Sequence, residues 1–183
     1  MPRLIIYGDF NCPFSALASV RADLLQDAGQ SEIEWRAVQH DTAIPLTGEA
    51  VEGDTAAELA TEVATILELS AHDAHLELVV PPVRSNTAAA CAAFAAATDQ
   101  ADRLRRRLFA AVWAEGRNLG DPAELDRLGA TDRHDDVAGR WQGGFEALQK
   151  QVTPSLVFPD GNESPGLDAL ARLADLVATT RST

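Results

Sequence analysis

A cysteine followed directly by a proline, Cys12-Pro13, sits in the stretch Asp9-Phe10-Asn11-Cys12-Pro13-Phe14-Ser15-Ala16, and its neighbours decide what it can do. Before it, Leu4-Ile5-Ile6-Tyr7 is a short continuous apolar run, the pattern of a strand buried on both faces. After it, Pro13, Leu17, Val20, Leu24 and Ala28 recur at helical spacing, while Arg21, Asp23 and Asp27 face elsewhere. Pro13 suits the first helical position, where a missing N–H has no consequence. Cys12 is therefore expected at the N-cap, where unpaired amides and the positive end of the helix dipole meet the sulfur. A thiol so placed is expected to be acidified from about 8.5 toward the range of roughly 3.5–7.5 and to be reactive. Ser15, one turn along the same face, is placed either to donate a hydrogen bond to that thiolate or simply to pack in the first helical turn. The competing reading of Cys12, a small core hydrophobe, has no reason to favour a helix start.

The elements that must hold this cysteine follow from the periodicity. Ser31 to Gln39 alternates Ile33, Trp35 and Ala37 with Glu32, Glu34 and Arg36, which predicts a strand. With Leu4–Tyr7 and the intervening helix it makes a β-α-β unit, hence a parallel pair with a right-handed crossover. The carboxyl ends of such strands border the ligand crevice, which brings His40 toward Cys12, although a solvated strand end is the favoured reading of His40. Thr55-Ala-Ala-Glu58 reads as a capping box ahead of Leu59, Val63, Ile66 and Leu67, and Ser70 as the start of a short helix carrying His72 and His75. Those two histidines have a spacing that can hold a metal, but no third ligand accompanies them and they read as exposed. The alanine-rich stretch Thr87 to Thr98 predicts a buried helix with Cys91 as core packing. A helix from about Gln100 to Gly116 follows, with Leu104, Leu108, Ala111 and Val112 inward and Arg103, Arg105, Arg106 and Arg107 read as a solvated face. Asp121-Pro122-Ala123-Glu124 is a helix start, and another helix is expected from Thr131 to about Lys150. Val152 to Phe158 predicts a strand with Pro154 near its beginning. Pro159-Asp160-Gly161-Asn162 predicts a turn to a short edge strand. Ser164 and Pro165 are expected to open a last helix with Leu167, Leu170, Leu173, Leu176 and Val177 inward.

The totals bound the function. At 183 residues, 46% of them hydrophobic, the chain is expected to be one domain or a domain with a large insertion. A net charge of −13 argues against nucleic acid and anionic membrane surfaces, both of which call for basic patches. No apolar run approaches a membrane span. The start of the chain enters a strand at once, leaving no room for a signal peptide, and two distant cysteines make no disulfide scaffold. A cytoplasmic location is therefore expected.

The order strand, Cys-Pro-X-X, helix, strand, long helical block, then strand, turn and helix resembles the thioredoxin-fold superfamily and, within it, the DsbA-like branch. The block Leu108-Phe109 through Trp113, Glu115, Arg117-Asn118-Leu119 to Asp121-Pro122 is similar to cytosolic dithiol isomerase-like members of that branch. The resemblance implies an α/β, thioredoxin-like fold with a large helical insertion. Residues 1–41 and 151–183 would form the thioredoxin-like domain and 42–150 the inserted subdomain. It implies Cys12 and Ser15 as catalytic residues, a cis-proline at Thr153-Pro154 facing the sulfur, and substrate contacts from Pro13, Phe14, Thr153 and Pro154. The departure is Ser15, which stands where a dithiol oxidoreductase has its second cysteine, so no intramolecular disulfide can form there. The resemblance then implies a thiol-disulfide oxidoreductase acting through one cysteine on a disulfide-containing protein or small-thiol substrate. An external thiol, glutathione or an equivalent, would release the mixed disulfide; no other cofactor and no metal is expected, and a homodimer is left open. Asp9 through Ala18 is also similar to kappa glutathione transferases and 2-hydroxychromene-2-carboxylate isomerases, where serine often replaces Cys12. A redox-inert binding module that kept the fold is the third reading.

Overall fold

Strands from both ends of the chain build one sheet, and the long middle segment returns to cover it. The computed structural model describes residues 3–180; the expected outer segments 1–41 and 151–183 therefore begin and end in residues outside that range. In chain order the elements are β1 (Arg3–Gly8), α1 (Pro13–Asp27), β2 (Glu32–Ala37), β3 (Glu49–Ala50), α2 (Gly53–Ser70) and β4 (Val83–Arg84). They continue with α3 (Ala88–Ala96), α4 (Ala101–Trp113), α5 (Pro122–Arg127), α6 (Asp135–Glu146), β5 (Ser155–Val157), β6 (Glu163–Pro165) and α7 (Leu167–Thr180). The sheet runs β2-β1-β5-β6. β1 and β2 pair in parallel, as the β-α-β pattern requires, with Ile6 opposite Trp35. β5 lies antiparallel on β1, pairing Tyr7 with Ser155, so the start of β5 is set beside the end of β1.

The apolar residues of β1 supply both faces of the sheet. Leu4 and Ile6 join the larger core with Leu17 and Leu25 of α1, Leu170 and Leu173 of α7, and Leu108 and Val112 of α4. On the other face Tyr7 and Val38 pack with Phe145 and Leu148 around α6. The alanine surface of α3 lets it lie close to α4, α6 and β2, and Cys91 is buried within it.

Several expectations are corrected by long-range packing. The helix after the first loop begins at Gly53, with Glu52 at its N-cap, so Thr55 and Glu58 are helical residues rather than a capping box. Ser70 ends α2 and residues 71–73 form a turn, so His72 and His75 do not share a helix. Ser164 and Pro165 belong to the edge strand β6, and Gly166, at φ 57°, breaks the chain before α7. Arg21, read as facing away from the core, is buried: its Nε meets Asp73 at 2.6 Å, and its guanidinium also donates to the Leu170 and Leu69 carbonyls at 2.9 and 3.0 Å. Arg105, read as part of a solvated face, is also fully buried, paired with Asp23 and lying 5.1 Å above the Trp35 ring. Neighbouring elements close over both guanidiniums; Arg21 meets Asp73 and two carbonyls, whereas Arg105 reaches Asp23 through Nη2 and its Nε and Nη1 have no hydrogen-bond partner among the described residues.

Because Arg21 links α1 to the end of α2 and to α7, Arg21→Ala would remove its hydrogen bonds to Asp73 and to the Leu69 and Leu170 carbonyls. We expect a loss of about 3–5 kcal/mol in urea denaturation; an unchanged midpoint would contradict the linking role.

Candidate functional site

The end of β1 and the start of α1 are joined by one tight turn. The Cys12 N–H donates to the Asp9 carbonyl at 3.0 Å, and the Cys12 carbonyl accepts from the Ala16 N–H at 3.2 Å. Cys12 is the N-cap of α1, with Pro13 in the first turn. The turn is held from the middle of the chain. Asn11 accepts from the Ser85 N–H at 3.0 Å and donates to the Ser85 carbonyl at 2.5 Å. Trp113 donates from its indole to the Phe10 carbonyl at 2.8 Å. The Asp9 carboxylate, 4% exposed, accepts from the backbone N–H groups of Asn11 and His40, each at 2.9 Å. It also accepts from the Thr87 hydroxyl at 3.4 Å.

The sulfur of Cys12 faces the loop that precedes β5. Its thiol donates to the Thr153 carbonyl at 3.3 Å, and the Thr153-Pro154 peptide bond is cis. The loop is pinned by Ser155, whose hydroxyl donates to the Val152 carbonyl at 2.6 Å, and by the Gly166 N–H, which donates to the Pro154 carbonyl at 2.7 Å. Ser15 is fully buried. Its oxygen accepts from the Asp9 N–H at 3.3 Å, which leaves the hydroxyl proton free for the sulfur.

These contacts pull the thiol in opposite directions. Burial pushes the Cys12 thiol up; the Ser15 hydroxyl, the Thr153 side chain and the Ser15 amide pull it down, and the nearby Asp9 carboxylate pushes it up again. The balance lies above the ordinary cysteine value, which corrects the expected acidification. The N-cap position is there, but desolvation outweighs the amides and hydroxyls that it supplies. Burial likewise raises the Asp9 carboxyl, against the hydrogen bonds of Asn11 and His40. Cys91 is a second free thiol. Burial pushes it far up, and it lines a separate cavity with Ala37, Gln39 and Gln142.

Cys12 opens into a cleft of about 390 Å³. Pro13, Phe14 and Thr153 line it, together with Thr55, Glu58 and Glu62 of α2. His40 and Asp41 border it as well, and the His40 ring is 3.1 Å from the Gln151 carbonyl. His40 is thus exposed and beside Cys12 at once. Arg84 reaches in from β4, paired with Asp41 at 3.2 Å and Glu49 at 2.9 Å. Among the described residues no group of three or more His, Cys, Asp or Glu could hold a metal ion. Asp9, Asn11, Glu62 and Arg84 had no role in the sequence reading, and Glu58 had only that of a capping residue. Only Glu58 and Glu62 left a signal there, as like charges one helical turn apart.

Residues 3–131 match the sequence profile of the DSBA-like thioredoxin domain. No curated protein matches the sequence. Among solved structures the chain is similar to a probable DsbA oxidoreductase from Streptomyces coelicolor, with a TM-score of 0.77 at 12% identity over 100% of this chain and 91% of that one. A 2-hydroxychromene-2-carboxylate isomerase gives 0.69 at 21% identity, covering 98% and 95%. The cytosolic disulfide reductase DsbM from Pseudomonas aeruginosa with GSH gives 0.68 at 13%, covering 98% of each chain. At these identities the likeness is one of fold.

The opposing contacts are separable by titrating the thiolate absorbance. We expect a midpoint above the ordinary cysteine range of about 8.5, moved further up by Ser15→Ala and down by Asp9→Asn. A midpoint below that range would contradict the dominance of burial.

Proposed function

Because the chain belongs to the DSBA-like thioredoxin domain family, we propose that it is a thiol-disulfide oxidoreductase working through Cys12 alone. The observation that carries this reading is the sulfur at the start of α1, 3.3 Å from the Thr153 carbonyl and open to a cleft, with a serine rather than a thiol one turn along. The division into a thioredoxin-like part, 1–41 and 151–183, around an inserted helical part, 42–150, belongs to the same reading. So does a reducing, cytoplasmic setting. Among the described residues no helix is long and apolar enough to cross a membrane.

In the first step Cys12 gives its proton to solvent and the thiolate attacks one sulfur of a disulfide R–S–S–R′. The Cys12–S–S–R bond forms, the S–S bond of the substrate breaks, and R′S⁻ leaves and takes up a proton. The Ser15 hydroxyl and amide stabilise the sulfur's negative charge. Pro13, Phe14 and Thr153 border the place where R lies, whereas Pro154, expected beside them, is buried and does not line the cleft. Ser15 cannot attack Cys12–S–S–R, so a second, external thiol R″SH must do so, releasing R–S–S–R″ and returning Cys12 as a thiol. Glutathione or an equivalent low-molecular-weight thiol fits that step. A thiol held above its ordinary value is a strong nucleophile once ionised and a poor leaving group, which favours reducing a partner's disulfide over oxidising its thiols.

Reduction of bis(2-hydroxyethyl) disulfide with a small thiol as reductant tests this. We expect Cys12→Ser to fall to the uncatalysed rate and Cys91→Ala to stay close to wild type. The wild-type rate should keep rising with pH through the alkaline side of neutrality, because burial and Asp9 hold back ionisation of Cys12. Equal rates for wild type and Cys12→Ser would overturn the assignment, and a plateau already reached in acid would contradict the placement of the thiol.

A further inference from the structure

The part of α2 that lines the cleft carries charge of one sign. Glu58 and Glu62 lie one turn apart on α2 and both line the cleft. Like charges at this spacing work against the helix, so the pair is not explained by helix stability. Neither glutamate makes an ion pair among the described residues. The cation that lines the cleft with them, Arg84, is already held by Asp41 and Glu49. Arg84 pulls the Glu62 carboxyl down, but burial and the charge of Glu58 outweigh it and push that carboxyl up. A further carboxylate, the buried Asp9, lines the same cleft and lies close enough to act on Cys12.

We propose that this acidic wall selects disulfides flanked by positive charge: a small disulfide carrying protonated amines, or a cystine beside Lys or Arg in a polypeptide. This rests on Cys12 being the attacking thiol. An ammonium or guanidinium group in the cleft meets Glu58 and Glu62 as well as the sulfur. It neutralises like charges that the fold leaves unpaired, and it favours the thiolate against the opposition of Asp9. An anionic disulfide meets the same wall as repulsion and binds poorly. The cleft's volume of about 390 Å³ accommodates either a small disulfide or the side chains around a single cystine. The charge preference is therefore set by α2, outside the strand-helix turn that carries the chemistry.

The test is the rate of mixed-disulfide formation on Cys12, followed by intact mass, with cystamine (dication), bis(2-hydroxyethyl) disulfide (neutral) and 3,3′-dithiodipropionate (dianion). Each rate is divided by that of the same reagent with a neutral free thiol, which removes intrinsic reactivity. We expect cystamine to exceed the neutral reagent by about tenfold at low salt, and the dianion to fall below it. The spread should collapse at an ionic strength of about 0.5 M, where charges are screened. In Glu58→Gln/Glu62→Gln the ratio of cation to neutral rates should move toward one. A pair of cystine peptides flanked by Lys or by Glu then separates the two sources. A preference shared by the Lys peptide identifies basic polypeptide segments, and one confined to cystamine identifies a small diamine. Equal normalised rates, a fastest dianion, or a spread that survives the double substitution would overturn the inference while leaving Cys12 as the nucleophile. No adduct with any of the three reagents would overturn the Cys12 reading itself.

Discussion

A sulfur and a carbonyl 141 residues apart meet at 3.3 Å, and the site exists only because the sheet makes them meet. β1 ends where α1 begins, and β5 lies antiparallel beside β1, so the first residues of β5 stand next to the last of β1. Anything attached just after β1 then faces anything attached just before β5. Cys12 and Thr153-Pro154 are those two attachments. The middle of the chain closes the arrangement from a third direction. Ser85, Thr87 and Trp113 fix the turn at Asp9, Phe10 and Asn11, and α2 supplies part of the cleft's lining.

Within that frame the reactivity of Cys12 is a contest between two consequences of one position. Standing at a helix start gives the sulfur an amide and a hydroxyl from Ser15; standing between β1, α1 and the Thr153 loop takes it partly out of water. Burial wins, and Asp9 adds to it. The same geometry that would acidify an exposed N-cap cysteine therefore leaves the balance for this one above its ordinary value. Ser15 gains meaning from the same contact set: it cannot resolve a mixed disulfide, but as the acceptor of the Asp9 N–H its hydroxyl is oriented toward the sulfur.

Much of this was legible in the sequence where the signal is local. The apolar run Leu4–Tyr7, the helical spacing after Pro13 and the alternation at Ile33, Trp35 and Ala37 gave the β-α-β unit and the N-cap position of Cys12. The Thr153-Pro154 loop came from family resemblance, because nothing in residues 152–158 alone says what they face. What was missed depends on distant partners. Arg21 and Arg105 read as surface charges, yet Asp73, Asp23 and the closing helices make buried places for them. Glu58 read as a capping residue because helix starts are judged from neighbours in sequence. Its place in the wall of the Cys12 cleft is set by how α2 packs on α1. The direction of the thiol's shift was missed for the same reason: dipoles are visible in sequence, and desolvation is not.

Central to this account is the identity of the sulfur that attacks and what it faces when it has done so. Peptide mapping after reaction with a neutral disulfide, followed by the structure of the adduct, addresses both. The account predicts one mixed disulfide, on Cys12, with the added group lying along the backbone of Thr153. An adduct on Cys91, or a Cys12 adduct turned away from the Thr153-Pro154 loop, would contradict it.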